Sequence, residues 1–580
     1  MTREQQQQPG QGERAMESHS VSQPKGVNTT ADIVADKLID WGVEVIFGIV
    51  GDGINPLLEA LRVRQDRIRF VAVRHEEAGA FMASGYAKYT GKLGACLATT
   101  GPGAVHLLNG LYDAAMDGAP VIAITGTTYS DVIGTQYTQD VDTMALMKDV
   151  AAYSVRITGP RHALAVVDVA CQAALSRQGV AHLTIPVDVQ MRPLQEDKSS
   201  TAYGPIRGAP TWTPPAGTPP AEQLDAAAEL LNSGSKTMIL AGRGALGARS
   251  EVEQVADLLG APIAKALLGK AVVSDDHPYT TGGIGHLGTR PSQELMQECD
   301  TLLILGSNMP YADYYPKPGQ ARCVQIDRDT TRISRRYPAK IGLTGDVRRT
   351  LAELLPRLQR REDRSFLQSA RQRMEEWRKA LAEAGENRGM PLKPQYVMTK
   401  LSGLLADDAL VSVDCGAHTV YFARHVQMRD TQKLALSGNL ATMGPALPYA
   451  IAGKLAYPGR QSVAIIGDGS FTMLMGELAT AVKYDLPIKV VLFKNDSLQM
   501  VRFEQQGIGN PDFGVELQPI DFAKYAEACG ADAFRCATPD EVEPALMAAL
   551  ESPRPALVEA IVDPDEPIAM PGKTIGPSPT

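Results

Sequence analysis

The sequence predicts an α/β protein of three domains, each a parallel sheet between layers of helix. Three observations carry this prediction. Short apolar runs rich in Val, Ile, Leu and Ala alternate with stretches of helical periodicity from Val27 to Asp563, the pattern of parallel sheets covered on both faces. The alternation breaks at a stretch rich in Pro, Gly, Ser and Thr, Gln195–Pro220, and again at the charged stretch Gln359–Gly389. A chain of 580 residues exceeds what one core can fill, so about three or four domains are expected. The expected division is a disordered tail over 1–26, a first α/β domain over 27–190, a linker over 191–222, a central domain over 223–358, a linker helix over 359–392, a third domain over 393–563 and a tail over 564–580.

Composition narrows the function classes. A hydrophobic content of 44% with 21% charged residues is ordinary for a globular protein. A net charge of −9 argues against a general nucleic-acid partner. The seven Cys are scattered without a CxxC pair, which reads as reduced, buried thiols in a cytosolic, cytoplasmic protein. No stretch approaches the roughly 18 uninterrupted apolar residues of a membrane span. The first residues lack a basic-then-apolar secretory pattern. Met1–Gly26, with Gln5–Gln8, cannot bury enough apolar surface to fold.

In the first domain, Thr29–Trp41 has helical periodicity with Thr30 as the expected cap. Strands are expected at Val45–Ile49, Phe70–Val73, Ala95–Thr99 and Val121–Thr125, and helices at Pro56–Val63 and Glu77–Tyr89, the latter closed by Gly91. Glu76 lies between a strand and a helix. Alone it reads as a carboxylate favouring a helix start. Gly101-Pro102-Gly103 reads as a tight turn. The central domain is expected to place strands at Thr237–Leu240, Thr301–Leu305 and Arg322–Ile326, with a helix at Glu251–Leu259. Asp327 then ends a strand, where a carboxylate can meet a ribose. Arg371–Gly385 reads as an exposed helix with solvated charge pairs.

The third domain holds the stretch on which function turns, SVAIIGDGSFTMLMGELATAVKYDLPIKVVLFKNDS, Ser462–Ser497. Ser462–Ile466 and Ile488–Phe493 read as buried strands, and Leu474–Tyr484 between them as a helix. A strand–helix–strand unit makes the two strands parallel neighbours. Asp468 and Asn495 then lie together just past their C-terminal ends, the edge where open sheets bind ligands. Both offer oxygen. A hard cation such as Mg²⁺ takes about six oxygens and shares them readily with phosphate. Asp468, Asn495 and the backbone carbonyl of Ser497 are the candidate ligands, and the Gly467 and Gly469 flanks allow a diphosphate to approach. A lone Gly-Asp-Gly is a turn signal, as at Gly51-Asp52-Gly53. The paired strand endings at this spacing carry the argument.

This pairing resembles the diphosphate-and-metal motif of thiamine diphosphate (ThDP) enzymes. Lys494 stands where the family commonly has a first Asn, and Asn495 keeps the second. RHEEAGAFMASGYAKYTGK (Arg74–Lys92) and TTGPGAVH (Thr99–His106) are similar to the pyrimidine-binding domain of the oxidase and acetolactate synthase branches. The resemblance implies that Glu76 is the carboxyl that protonates the aminopyrimidine ring nitrogen. It further implies that pyrimidine and diphosphate domains come from different subunits, giving at least a homodimer and an expected homotetramer. Gln139, in IGTQYTQD, aligns with a substrate-side Gln, but Thr138 stands where oxidases and synthases have Phe. In SGNLATMGPALPYAIAGKLAYP (Ser437–Pro458), Met443 would prop the cofactor into a bent shape, with Ala441 and Thr442 beside the pyrimidine and Gly469 and Ser470 at the diphosphate.

Further strings, GGIGHLGTR (Gly282–Arg290), LGSNMPYADYYP (Leu305–Pro316), QID (Gln325–Asp327) and LTGD (Leu343–Asp346), resemble the FAD-binding middle domain of pyruvate oxidases. By that resemblance Gly285, His286, Leu287, Gly288, Thr289, Ser307, Asn308, Asp327 and Asp346 contact FAD. Downstream, Val501 and Glu504 match the pyruvate oxidase branch, where acetolactate synthases carry Trp at the position of Glu504. The implied reaction is oxidative decarboxylation of pyruvate or a similar small 2-oxo acid with ThDP, Mg²⁺ and FAD. Two alternatives stand beside it: a carboligase of acetolactate synthase type with spectator or no flavin, and a non-catalytic ThDP-binding protein. The prolines of Asp563–Thr580 preclude the amphipathic membrane helix of quinone-linked members, so no stable membrane association is expected.

Overall fold

The computed structural model describes residues 28–196, 213, 217–429, 431–570 and 573–575. Three six-stranded parallel sheets form along the chain, as the alternation predicts. The first holds β1 (Val45–Gly48), β2 (Arg69–Ala72), β3 (Gly94–Ala98), β4 (Val121–Thr127), β5 (Ala151–Arg156) and β6 (Val180–Pro186). The second holds β7 (Thr237–Ala241), β8 (Ile263–Lys265), β9 (Thr280–Gly283), β10 (Thr301–Leu305), β11 (Arg322–Asp327) and β12 (Ile341–Thr344). The third holds β13 (Leu410–Val413), β14 (Lys433–Leu436), β15 (Ser462–Gly467), β16 (Lys489–Lys494), β17 (Asp532–Cys536) and β18 (Ala556–Ile561).

The first sheet runs β2-β1-β3-β4-β6-β5 and the third β14-β13-β15-β16-β18-β17. Strand for strand this is one topology used twice. Its switch points lie between β1 and β3 and between β13 and β15, where an open sheet leaves a crevice at its C-terminal edge. β3 leads into Thr99–Gly103, and β15 leads into Gly467-Asp468-Gly469. The central sheet runs β12-β11-β10-β7-β8-β9, with its switch point between β10 and β7. There the backbones touch: a Cβ on Gly244 would lie 2.7 Å from the Gly306 Cα. The Gly242-Arg243-Gly244 turn thus serves strand packing.

The first and third domains share a continuous apolar core. Helix Glu76–Thr90 packs on helix Ala446–Ala456, and Gly85 permits it, since a Cβ there would lie 2.6 Å from the Tyr449 ring. A charged knot crosses this interface. Lys88 Nζ donates to Asp113 (2.9 Å), Asp117 (2.7 Å), the Leu436 carbonyl (2.8 Å) and Tyr449 Oη (2.9 Å). The Asp113 and Asp117 side chains are fully buried, and Tyr449 Oη also donates to Asp113. Burial would raise the Asp117 carboxyl, yet Lys88 and the backbone N–H groups of Gly438 and Asn439 hold it below the usual range. Arg243 of the central domain donates to the Asp117 carbonyl, so one residue touches all three domains.

Several local expectations are corrected. The first helix is capped by Thr29 rather than Thr30, because Asp32 completes a capping box with Thr29. The single helix expected over Leu474–Tyr484 is two, Asp468–Leu474 and Glu477–Lys483, parted at Met475-Gly476. The charged helix runs Ser365–Gly385 and is not wholly solvated: Phe366, Ala370 and Met374 recur at helical spacing and are buried. The stretch after Asp563 does not hang free, since Ile568 is fully buried in the third domain's core. Ile568–Met570 then pairs antiparallel with Lys573–Ile575. The 1–26 tail and most of the Pro-rich linker lie outside the described residues. Among the described residues no helix is long and apolar enough to cross a membrane. The seven Cys are free, five of them buried.

Replacing Lys88 by Met strips the counter-charge from two buried carboxylates. Losing one partner of a buried ion pair costs about 3–5 kcal/mol. The variant is expected to melt well below the parent in a calorimetric scan, and an unchanged midpoint would remove the knot from the stability of the interface.

Candidate active site

β13, β15 and β16 lie side by side in the third sheet, so whatever follows their ends converges on one edge. A cleft of about 540 Å³ opens there, lined by Cys415, Gly416 and His418 after β13, Gly467–Ser470 after β15, and Asn495, Ser497 and Leu498 after β16. Met443, Tyr421, Met500, Val501 and Val562 supply apolar walls. The mix of apolar wall with convergent polar groups suits a small molecule.

Asp468 is 4% exposed and opens its helix directly. Its Oδ1 accepts the Gly469 N–H (2.9 Å), and its Oδ2 accepts those of Asn495 (2.9 Å) and Asp496 (2.6 Å). Those last two bonds pin the end of β16 to the end of β15, which brings Asn495 to the same cleft. Burial pushes the Asp468 carboxyl up, against the three donors that pull it down. Asn495 Oδ1 accepts the Ser497 N–H (3.1 Å), while its Nδ2 donates to Gln499 (3.0 Å). The Asp496 carbonyl is taken by the Leu517 N–H at 2.9 Å. Lys494, in place of an Asn, turns its ammonium to both Asp496 oxygens at 2.6 Å.

The glycines around Asp468 make room for neighbours. A Cβ on Gly467 would lie 3.0 Å from His418 Nδ1, and one on Gly469 would lie 2.8 Å from Leu498 and 3.5 Å from the Met443 methyl. Met443 sits in the loop before helix Ala446–Ala456, not on a helix, and faces the cleft. Ala441 takes a left-handed backbone (φ 54°) and Thr442 accepts a hydrogen bond from Asn109 of the first domain at 3.1 Å. Val501 lines the cleft and is 44% exposed. Glu504, one turn on and exposed, lies close enough for its charge to add to the burial and Asp414 effects that push the Cys415 thiol up to about 11.

Two residues of this edge escaped the sequence reading. Asp414 ends β13, and its carboxylate accepts the N–H groups of Cys415 (2.8 Å), Gly444 (2.9 Å) and Ala446 (3.0 Å). It thereby shapes the loop that carries Met443, while burial pushes its carboxyl up to about 6. His418 is buried in the cleft wall, and burial holds it down at about 4, so it is neutral at pH 7. Among the described residues, His418 Nε2 and Ser497 Oγ are buried and find no protein partner. A buried polar atom left so costs about 1–3 kcal/mol, and both face the cleft that holds Asp468. A signal existed: a polar cluster at the end of a strand adjacent to the Asp468 strand.

The first domain's candidates lie elsewhere. Every residue of the cleft wall belongs to the third domain, so one chain does not bring Glu76 or Gln139 to Asp468. Glu76 is 8% exposed, and its Oε2 meets His106 Nδ1 at 2.9 Å. His75 caps the helix and stacks on His106, ring centroids 4.5 Å apart. Gln139 is exposed, with a left-handed backbone (φ 61°), and packs against Gly101. Glu76, Gly101 and Gln139 thus gather at the C-terminal edge of the first sheet, the counterpart of the Asp468 edge.

In the central domain, Ser307 and Asn308 follow β10, and Asp327 ends β11. Asn308 Oδ1 is buried without a protein partner, and Asp327 is buried, which raises its carboxyl. Gly285 (φ 100°) stands against Tyr311, and His286 Nδ1 meets Tyr314 Oη at 3.0 Å. Leu287 packs toward the third domain's core, and the Gly288 carbonyl accepts from Arg424 at 3.2 Å. Thr289 and Asp346 are helix caps, Asp346 also pairing with Arg328 at 3.1 Å. Their side chains therefore have structural duties beside any ligand.

Two strand ends holding Asp468 and Asn495, a doubled sheet topology and a third sheet between them define a class. The chain matches the N-terminal TPP binding domain of thiamine pyrophosphate enzymes over residues 28–146, the central domain over 224–354 and the C-terminal TPP binding domain over 414–560. It belongs to the thiamine pyrophosphate enzyme family. YdaP of Bacillus subtilis is 40% identical over 545 residues, 94% of this chain and 93% of the relative. A pyruvate oxidase of Lactiplantibacillus plantarum is 33% identical, with 94% and 91% covered. An acetolactate synthase of Mycobacterium bovis is 30% identical, with 89% and 84% covered.

Asp468→Ala removes an anionic oxygen from the cleft. Its Mg²⁺-dependent retention of ThDP is expected to fall by more than about 100-fold, a loss that even an outer partner of a metal ligand can cause. Gel filtration with cofactor assay, with and without chelator, reads this directly; retention equal to the parent's would take Asp468 out of the metal site.

Proposed function

We propose that the chain catalyses oxidative decarboxylation of pyruvate or a similar small 2-oxo acid, using ThDP, Mg²⁺ and FAD. The observation that carries this reading is helix Gln499–Gly507, which puts Val501 in the cleft wall with Glu504 one turn beyond. This is the aliphatic-and-acid pair of the oxidase branch. Bound ThDP supplies a carbon nucleophile and an electron sink for the loss of CO₂, and FAD accepts two electrons. The buried, unpartnered Asn308 Oδ1 and the buried Asp327 fit a large polar cofactor along the central sheet's edge.

The protein's own residues do the rest. Asp468, Asn495 and the Ser497 carbonyl would hold Mg²⁺, and the unpartnered His418 Nε2 and Ser497 Oγ would be available to the diphosphate. Met443, Val501 and Leu498 exclude water and shape the pocket. Glu76 holds a proton at the pyrimidine ring nitrogen, and its burial beside His106 suits that task. Because the cleft wall of one chain lacks Glu76 and Gln139, a second copy must bring them. The assembly is therefore a homodimer with two shared sites, or a homotetramer made of two such dimers. Gln139 faces the substrate.

A carboligase reading is kept open by Thr138. This exposed residue supplies no aromatic wall, so the pocket can accept a 2-oxo acid other than pyruvate or a second carbonyl compound. Anaerobic addition of pyruvate to protein loaded with ThDP, Mg²⁺ and FAD separates the two. The expected outcome is bleaching of the flavin band; acetolactate formed over an unchanged flavin spectrum would replace the oxidase reading with the carboligase one. In the same preparation Glu76→Gln is expected to slow exchange of the cofactor's C2 proton by at least about 100-fold, as followed by NMR after acid quench.

A further inference from the structure

The segment that begins at Asp468 does not end in its own domain. Helix Glu477–Lys483 follows at once, and Glu477, its first residue, is 1% exposed. Glu477 Oε1 accepts the backbone N–H groups of Arg74 (2.8 Å) and His75 (3.1 Å) in the first domain. Its Oε2 accepts the Thr480 hydroxyl at 2.7 Å. At the helix's C-terminal cap, Tyr484 Oη accepts the Ala72 N–H at 2.7 Å. β2 is an edge strand, so its outer N–H groups lack a neighbouring strand. Two side chains of one short helix stand in for that strand. They take three N–H groups from the end of β2 and the turn that follows.

That turn leads straight into Glu76. The helix bearing Glu76 starts at the residue after His75, and His75 is its cap. Displacing Arg74 and His75 displaces the first turn of that helix. A carboxylate accepting two backbone N–H bonds is a stronger anchor than a neutral acceptor. Burial raises the Glu477 carboxyl, and Thr480 and the two amides pull it back. The mechanism above gives this buried group no task.

We propose that Glu477 is the positioning residue for Glu76: it fixes the Arg74–His75 backbone, and so ties the activating carboxyl to the segment that carries Asp468. This rests on the reading of Glu76 as the group that protonates the pyrimidine ring. In a shared-site dimer the segment Asp468–Glu477 touches both centres. Its first residue lines its own cleft, where the metal would be held. Its last holds the Glu76 that serves the other cofactor.

The test uses the full chain with Glu477→Ala, Glu477→Gln and Glu76→Gln. Two quantities are read: deuterium uptake by the Ala72–Glu77 backbone amides without added cofactor, and C2 proton exchange of bound ThDP with Mg²⁺. Glu477→Ala is expected to raise amide uptake and to slow C2 exchange by about 100-fold, the scale of a misplacement near 1 Å, while cofactor retention persists. Glu477→Gln, which keeps one oxygen acceptor, should fall between it and the parent. Unchanged amide uptake, or parental C2 exchange in Glu477→Ala beside slow exchange in Glu76→Gln, overturns the role of Glu477. Parental exchange in Glu76→Gln overturns instead the reading of Glu76. Loss of cofactor retention in both Glu477 variants also overturns the proposal, since the residue would then act on the fold at large. Where Glu477→Ala fails to fold, the near-isosteric Gln variant decides alone: slowed exchange with retained cofactor supports the positioning role, and parental exchange refutes it.

Discussion

The join between the first and third domains depends on one buried ammonium. Lys88 lies where three domains meet, with two carboxylates, a phenol and a backbone carbonyl around its ammonium. Charge taken out of water is tolerable only when every hydrogen-bonding position is filled, so the knot admits one geometry. That geometry sets helix Glu76–Thr90 against helix Ala446–Ala456. Asp117 extends the constraint: it receives the N–H groups of Gly438 and Asn439, both at 2.9 Å, at the start of the loop leading to Ala441, Thr442 and Met443. The ion cluster that joins the domains thereby also places one wall of the cleft.

A repeated topology explains how the functional groups are divided. The first and third sheets have the same strand order, so each presents one ligand edge, and the two edges are furnished differently. The third carries oxygen donors and orphaned polar atoms at the ends of β13, β15 and β16. The first carries Glu76, paired with His106, and the Gly101–Gln139 contact. Neither edge holds a full set for a cofactor with a diphosphate at one end and a basic ring at the other. The shared-site homodimer proposed above answers that division. It would set one first-sheet edge against another chain's third-sheet edge.

How much of this was legible in the sequence depends on range. Strands were legible because buried parallel strands are short apolar runs; Thr301–Leu305 falls where periodicity puts it. The convergence of Asp468 and Asn495 was legible because one strand–helix–strand unit fixes it locally. Lys88, Asp113 and Glu477 were not legible. Each is an ordinary charged residue within a helix, and its partner lies hundreds of residues away or on a face that periodicity does not mark. Asp414 and His418 fell between these cases. They follow a short apolar run, Leu410–Val413, but its neighbour relation to β15 rests on a crossover that no local pattern encodes. The split at Met475-Gly476 was missed because apolar spacing continues across it.

Asp414 and Asp468 show how burial assigns different work to equal groups. Both are buried carboxylates at the ends of adjacent strands, and each accepts three backbone N–H bonds. A carboxylate offers about four lone-pair sites, so each retains acceptor capacity for one more partner. Access to the cleft then decides. Asp468 lines it, 4% exposed, beside Asn495 and Ser497. Asp414, 1% exposed, is turned away from it toward the Gly444 and Ala446 backbone. Asp468 thus keeps a free acceptor facing the cleft beside Asn495, whose backbone N–H it already holds, as the proposed metal site would require. Asp414 keeps the loop around Met443 in place. The same local chemistry thus leaves an open acceptor at one strand end and a scaffold at the next.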